Sequence, residues 1–464
     1  MAEPGARDQP PREVRGEDGE LEVLAGRIVD QAAPGEDVEV YLARGTDTDI
    51  RVFSGEIESL SSATSAGAGI RVILDGRQGF AYAGSLDESV LVETLAEARD
   101  NAGFATRDDF VGLARPDGVE PADMQLWDDG LDDLSTTDKV ALAMDLEARA
   151  RSGDKRVRQV ESADYGDVRS EAAVASTTGV RAFSRRTACY LSTYVIAGEG
   201  EESQTGGGYS YGRGPGVLDV AEAAEDAIHR ATRLLGARKA RSRRLPVVLD
   251  TRVTAVLMAG LAGTLSGEAV LKGRSLFASR LGHEVAAAGV SLVDDPTNPL
   301  AYGASSHDAE GLACRRNVLI QGGVLAGFAY DTYSGRRAGV ASTASAVRGG
   351  FKSAPGVGCR ALAFAPGTLD QEEIIASMGE GLFVTGVSGV HSGVNPVSGD
   401  FSVGAEGLMI RDGVVAEPVR EITIASTIQR MLLDVTEVGS DLEWLPGSAA
   451  GVTLAIGDMS MSGA

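Results

Sequence analysis

The sequence is poor in the residues that most often carry catalysis. Its three cysteines, Cys189, Cys314 and Cys359, are odd in number and far apart. That excludes a disulfide framework and a Cys-x-x-Cys metal knuckle, and it favours a reducing compartment. There are four histidines, which with the cysteines leave little material for a self-contained zinc site. No apolar run reaches the ~18 residues that suggest a membrane-spanning helix. The opening MAEPGARDQPPREVRGEDGE lacks an apolar h-region, so it reads as neither signal peptide nor anchor. A cytoplasmic protein without a membrane partner is expected. Lysine is scarce: of 43 basic residues only Lys139, Lys155, Lys239, Lys272 and Lys352 are not arginine. With much Ala, Gly, Val and Asp, this is the mark of GC-rich coding. Positive charge is short overall, 43 bases against 67 acids for a net −24. Such a surface repels a phosphate backbone, so nucleic acid is not an expected partner.

What is present is globular. The 464 residues are 43% hydrophobic and 24% charged, ordinary for a soluble fold and enough for two or three domains. After a tail over residues 1–20, expected to be disordered, β-rich runs cover 38–43 and 50–53. GIRVIL and GFAYAG flank Asp75-Gly76, a pair suited to a tight hairpin. Ser85 and Glu88 form a capping-box pattern before a helix. Further helices are expected over 138–151, from Asp219 to Gly236, and over 253–265, the last apolar on several faces and so buried. Between the helix over 138–151 and the one from Asp219, DVRSEAAVAS and ACYLSTYVIA alternate like strands. The basic run ARKARSRR, residues 237–244, reads as a linker. It separates an N-terminal domain (21–236) from a C-terminal domain (245–464). In the latter, Gly322-Gly323 and Asp412-Gly413 punctuate β runs, Asp370 and Glu373 open a helix, and 427–438 reads as another. The fold class is α+β: a mixed α/β first domain, then a β-rich second.

Searching for chemistry mostly eliminates it. His283-Glu284 begins a zinc half-motif, but positions 287 and 288 are alanines. Neither HExxH nor HExxxH is completed, so His283 is expected on a surface loop. GVHSG (389–393) misplaces the serine of a nucleophile elbow. SGDK (152–155) is a chance-level match. GGGYSYGRGPG (206–216) lacks the P-loop lysine and reads as a mobile or peptide-facing loop. His229 is expected on the surface of its helix. His307, Asp308 and Glu310 lie together in SSHDAEG and could offer an acid/base pair or ligands. His391 stands in a Gly/Ser loop.

Longer strings are more specific. FSGEIESLSSATSAGAGIRVILDGRQGFAYAG resembles the N-terminal signature of the TldD/TldE (PmbA) family. SHDAEGLACRRNVLIQGGVLAGFAYDTYSGRRAG, MGEGLFVTG and NPVSGDFSVGAEGLMIRDGVVAEPVREITIAST resemble its C-terminal half. The similarity runs from about residue 21 nearly to the end. In that family the TldD type carries His-Glu-x-x-x-His on a helix and a late cysteine as zinc ligands, and the TldE type lacks them. Aligned through LKGRSLF (271–277), the three motif positions here are Met258, Ala259 and Gly263, and no cysteine follows Gly439. A thioether, a methyl group and a bare Cα cannot hold zinc or activate water.

The resemblance therefore implies a TldE/PmbA-type subunit with no catalytic residue, metal or cofactor of its own. Zinc is expected in a TldD-type partner, and a heterodimer in an enclosed chamber that takes extended peptides such as leader peptides and antitoxins. His307, Asp308, Glu310 and His391 are the candidates for lining that chamber. Two rival readings are an enzyme in its own right with a relocated site at those four residues, in peptide natural-product maturation, and a gyrase-modulating binding module. The charge opposes the latter.

Overall fold

The computed structural model describes residues 19–463. Most of the expected tail lies outside them, and Glu20 already opens the first helix. The first half of the chain is α1 (Glu20–Val29), β1 (Asp37–Phe53), β2 (Glu56–Leu74), β3 (Arg77–Ala83), α2 (Glu88–Phe104), α3 (Gly130–Asp133), α4 (Thr136–Ser152), β4 (Val157–Ser176), β5 (Arg181–Ala197), β6 (Gln204–Gly212) and α5 (Val220–Thr232). Its six strands form one antiparallel sheet in the order β3-β2-β1-β4-β5-β6. The two runs expected over 38–43 and 50–53 are one strand, paired with β2 from Asp37↔Ile73 to Phe53↔Glu56.

Period-two alternation divides the sheet's faces. On one face Val38, Val40 and Leu42 pack with α1 and α2, while Ile50 and Val52 pack with α4 and α5. On the other, Glu39, Tyr41 and Arg71 meet the second half of the chain. Asp75-Gly76 makes the expected hairpin, with φ of 51° and 72°, the left-handed pair such turns require. The expected capping box at Ser85 is not formed. Asp87 precedes α2, and the Ser85 hydroxyl bonds Asp87 instead. A capping box does open α4, where Ser135 and Asp138 exchange bonds.

The Gly-rich string at 206–216 is a second correction. Its first seven residues lie in β6, paired with β5 from Gln204↔Ala197 to Gly212↔Cys189. The glycines are there for close approach. A Cβ at Gly206 would lie 2.2 Å from the Ala227 carbonyl oxygen of α5, and one at Gly208 2.0 Å from that of Ala223.

The second half begins with β7 (Arg243–Leu249), α6 (Thr251–Thr264) and α7 (Gly267–Leu271). The basic run thus ends inside a strand, and Arg238 bridges to Val419. Then come β8 (Leu292–Asp294), β9 (Asn317–Gln321), β10 (Val324–Leu325), α8 (Thr332–Ala338), β11 (Ala346–Val347), β12 (Gly356–Val357), β13 (Leu362–Phe364), α9 (Gln371–Ala376), β14 (Glu380–Ser388) and α10 (Val390–Gly393). The chain closes with β15 (Asp400–Arg411), β16 (Val414–Thr427), α11 (Ile428–Leu433), β17 (Val435–Val438), β18 (Glu443–Trp444), β19 (Ala450–Gly451) and β20 (Leu454–Ser462). The helix expected over 427–438 is therefore half helix, half strand. Strands β16-β15-β14-β7-β20-β17 form a second sheet, and a further β16–β20 pairing closes five of them into a ring. The architecture is α+β, with a strand-rich second half, as expected. No helix of the described residues is long and apolar enough to cross a membrane.

Candidate functional site

Helix α6 follows directly from β7. The Asp250 carboxylate accepts the Arg252 N–H and caps it. Val253, Leu257, Met258 and Leu261 enter the main core, and Met258 is fully buried. Ala259 and Gly263 are exposed. At ~100° per residue, positions 258 and 263 stand about 140° apart, whereas 259 and 263 share a face. Two of the three motif positions therefore lie on the open side, and the third is a core position. The donor set does not fit zinc, since it offers no imidazole, carboxylate or thiolate. Among the described residues no group of three His, Cys, Asp or Glu side chains is placed to hold a metal. The cysteines are free and buried.

The candidates in SSHDAEG are brought together, but as a structural joint. Asp308 is buried, and its carboxylate accepts the backbone N–H groups of Glu310 (2.9 Å), Leu312 (3.0 Å) and Ala346 (3.1 Å). Burial nevertheless raises its pKa. Glu310, also buried, accepts the Thr332 N–H at 2.9 Å and pairs with Arg71 at 3.3 Å. Arg71 and Arg348 both reach Glu39 on β1. This network of two arginines and two glutamates ties the first sheet to the second half of the chain. Burial pushes Glu310 up to about 7. Burial also raises Glu39, but Arg348 and Arg71 outweigh it and hold that carboxyl below its ordinary value. His307 is half-buried against the Ser306 hydroxyl at 3.1 Å, and burial lowers its pKa. His391 is exposed on α10, which packs on β15. The four candidates do not converge on one centre. His283 is exposed in a loop and His229 exposed on α5, as expected.

Sequence reasoning missed a second cluster. Arg230 on α5, Arg233 at its C-cap and Arg252 on α6 meet at the seam between the two halves, beside Asp226, Asp250 and Glu406. An i, i+3 arginine pair at the end of α5 was visible. Nothing in the sequence said that α6 would be its neighbour.

Comparison with known proteins agrees along nearly the whole chain. Family models described as PmbA/TldA metallopeptidase domain 1, central domain and C-terminal domain match residues 38–102, 129–235 and 242–463. The metalloprotease PmbA of Escherichia coli O157:H7 is 26% identical over 408 residues, covering 87% of this chain and 88% of that one. A metalloprotease of Methanothermobacter thermautotrophicus is 27% identical over 447 residues, covering 95% and 96%. TldE from Thermococcus kodakarensis superposes with a TM-score of 0.85 at 24% identity, covering 96% of this chain and 99% of that one. A Thermotoga maritima protein described as a candidate modulator of a DNA gyrase gives 0.88 at 24%, covering 95% and 100%. With three domain models laid end to end along it, the chain belongs to the PmbA/TldD metallopeptidase family.

Proposed function

We propose that this chain is the non-catalytic, TldE/PmbA-type subunit of a heterodimeric zinc metallopeptidase that cuts unfolded or extended peptides. It shapes the chamber and stabilises a zinc-bearing TldD-type partner. The observation that carries this is the composition of α6: Met258, Ala259 and Gly263 stand where two imidazoles and a general base are needed, and the Met258 side chain belongs to the core. The burial of Asp308 and Glu310, both hydrogen-bonded within a joint between the two halves, argues against a relocated site there. An extended-peptide substrate is supported by the outer edge of β2. Its partner β3 pairs only with Ala68–Leu74, leaving ten residues from Glu56 to Ser65 exposed. Strand addition at such an edge reads backbone rather than sequence.

The test is reconstitution. The purified chain alone should hold no stoichiometric zinc and cut no unfolded peptide, and mixing with a TldD-type partner should give peptidase activity. Turnover by the lone chain, lost in Asp308→Ala or His391→Ala, would overturn the reading.

A further inference from the structure

At the seam between the halves, a cavity of about 180 Å³ is lined by Arg230, Arg233, Arg252, Thr385 and Glu406, with Tyr194 at its half-exposed rim. The three guanidiniums are incompletely matched. Asp226 takes the Arg230 Nε at 2.8 Å and also Arg252. Asp250 is shared at long range, 3.5 Å from Arg230 and 3.8 Å from Arg233, while it caps α6. The Arg233 guanidinium makes no hydrogen bond among the described residues, although its side chain is only 15% exposed. Its face lies 5.9 Å from the Phe383 ring, and that of Arg252 lies 4.0 Å from the Tyr209 ring. The planar faces are thus occupied and donor edges remain. The Nε groups of Arg233 and Arg252 are buried without an acceptor. Glu406 makes no ion pair among the described residues, and burial raises its pKa against the opposing charge of Arg233.

We infer that this cavity is an oxyanion site, in which Arg230, Arg233 and Arg252 receive a carboxylate or phosphate group. Guanidinium forks match the paired oxygens of either group. A liquid water occupies ~30 Å³, so the cavity admits such a group with water beside it. A peptide carboxylate is the source that the open face of α6 suits. Arg252, Val256, Ala259 and Gly263 follow one another along that face, with the last three exposed. From Arg252 to Gly263 is about 16 Å of helix, the span of about five extended residues. A chain end held at the arginines would lay its preceding residues along that small-residue face. This assignment to a peptide rests on the peptidase reading above; the oxyanion site does not.

The experiment uses the full chain and a fluorescein-labelled, unstructured octapeptide, as free C-terminal acid and as carboxamide. Anisotropy should show the acid binding at least about tenfold tighter, the worth of one good charged pair. Inorganic phosphate should displace it, and Arg233→Gln should erase both effects. Phosphate binding that needs Arg233, with acid and amide equal, keeps the site and makes its ligand a free anion. Equal binding of acid and amide overturns the proposal when the wild-type chain binds no phosphate, or when its phosphate binding is unchanged in folded Arg233→Gln. The wild-type arms need no variant, so a misfolded Arg233→Gln would not shield it. Cleavage by the reconstituted pair is read separately and stands or falls independently.

Discussion

Glu310 and Met258 show how burial decides what a residue can do. Burial lifts the Glu310 carboxyl to about 7, against ~4.3 for an unperturbed glutamate. Between those values the folded state holds a proton that the unfolded chain releases. The stability this contributes is complete at low pH, falls as pH rises through the window, and levels off above it. Urea unfolding from pH 5 to 7 should therefore show a downward slope that Glu310→Gln flattens. Equal slopes would mean that Arg71 already keeps Glu310 ionised. Met258 makes the complementary case. Placing an imidazole in that fully buried core position should cost ~1–3 kcal/mol for an unpaired polar group, measured by denaturant midpoint. The triple change Met258→His, Ala259→Glu, Gly263→His should not restore stoichiometric zinc by metal analysis, because position 258 belongs to the core and no cysteine after Gly439 completes the ligand set.

For whole elements, the Gly-rich strand carries the clearest lesson. Composition alone reads GGGYSYGRGPG as a loop, because glycine weakens strands and marks turns. The structure uses Gly206 and Gly208 to seat α5 on β6 at backbone contact. Gly208→Ala should destabilise by ~1–3 kcal/mol through overpacking. Gly216→Ala, with nothing within 4 Å of the added carbon, should change little; thermal melts of the two compare them directly. Local chemistry was legible where it is self-contained. The Asp75-Gly76 hairpin and the Asp370–Glu373 capping box follow from neighbours in sequence, whereas α6, expected to be buried, keeps one face open at Val256, Ala259 and Gly263. It failed where two signals overlapped. Ser85 bonds to Asp87 two residues on and never reaches the helix. Residues after Leu433 turn into β17 because β20 offers them a ladder, which no helical pattern could reveal.

Across the molecule, the two halves are joined by the Glu39–Arg71–Glu310–Arg348 network, by a small shared core around Val174, Ala182, Leu312 and Ala344, and by the arginine seam. Calorimetry should accordingly show one unfolding transition. Arg348→Ala leaves Glu39 short of a buried partner, and removing one member of such a pair costs ~3–5 kcal/mol. It should lower the midpoint or split the transition in two; an unchanged trace would show that the network does not couple the halves. Fold class, the absence of zinc ligands on α6 and the family resemblance are written along the chain, since these depend on residue identity and on spacing. Three-dimensional packing sets Asp308 and Glu310 to brace a joint, puts Met258 in the core, and turns three arginines from the end of α5 and the start of α6 toward one cavity. Burial and charge pairing are properties of three-dimensional neighbours, and those neighbours are up to hundreds of residues away along the chain.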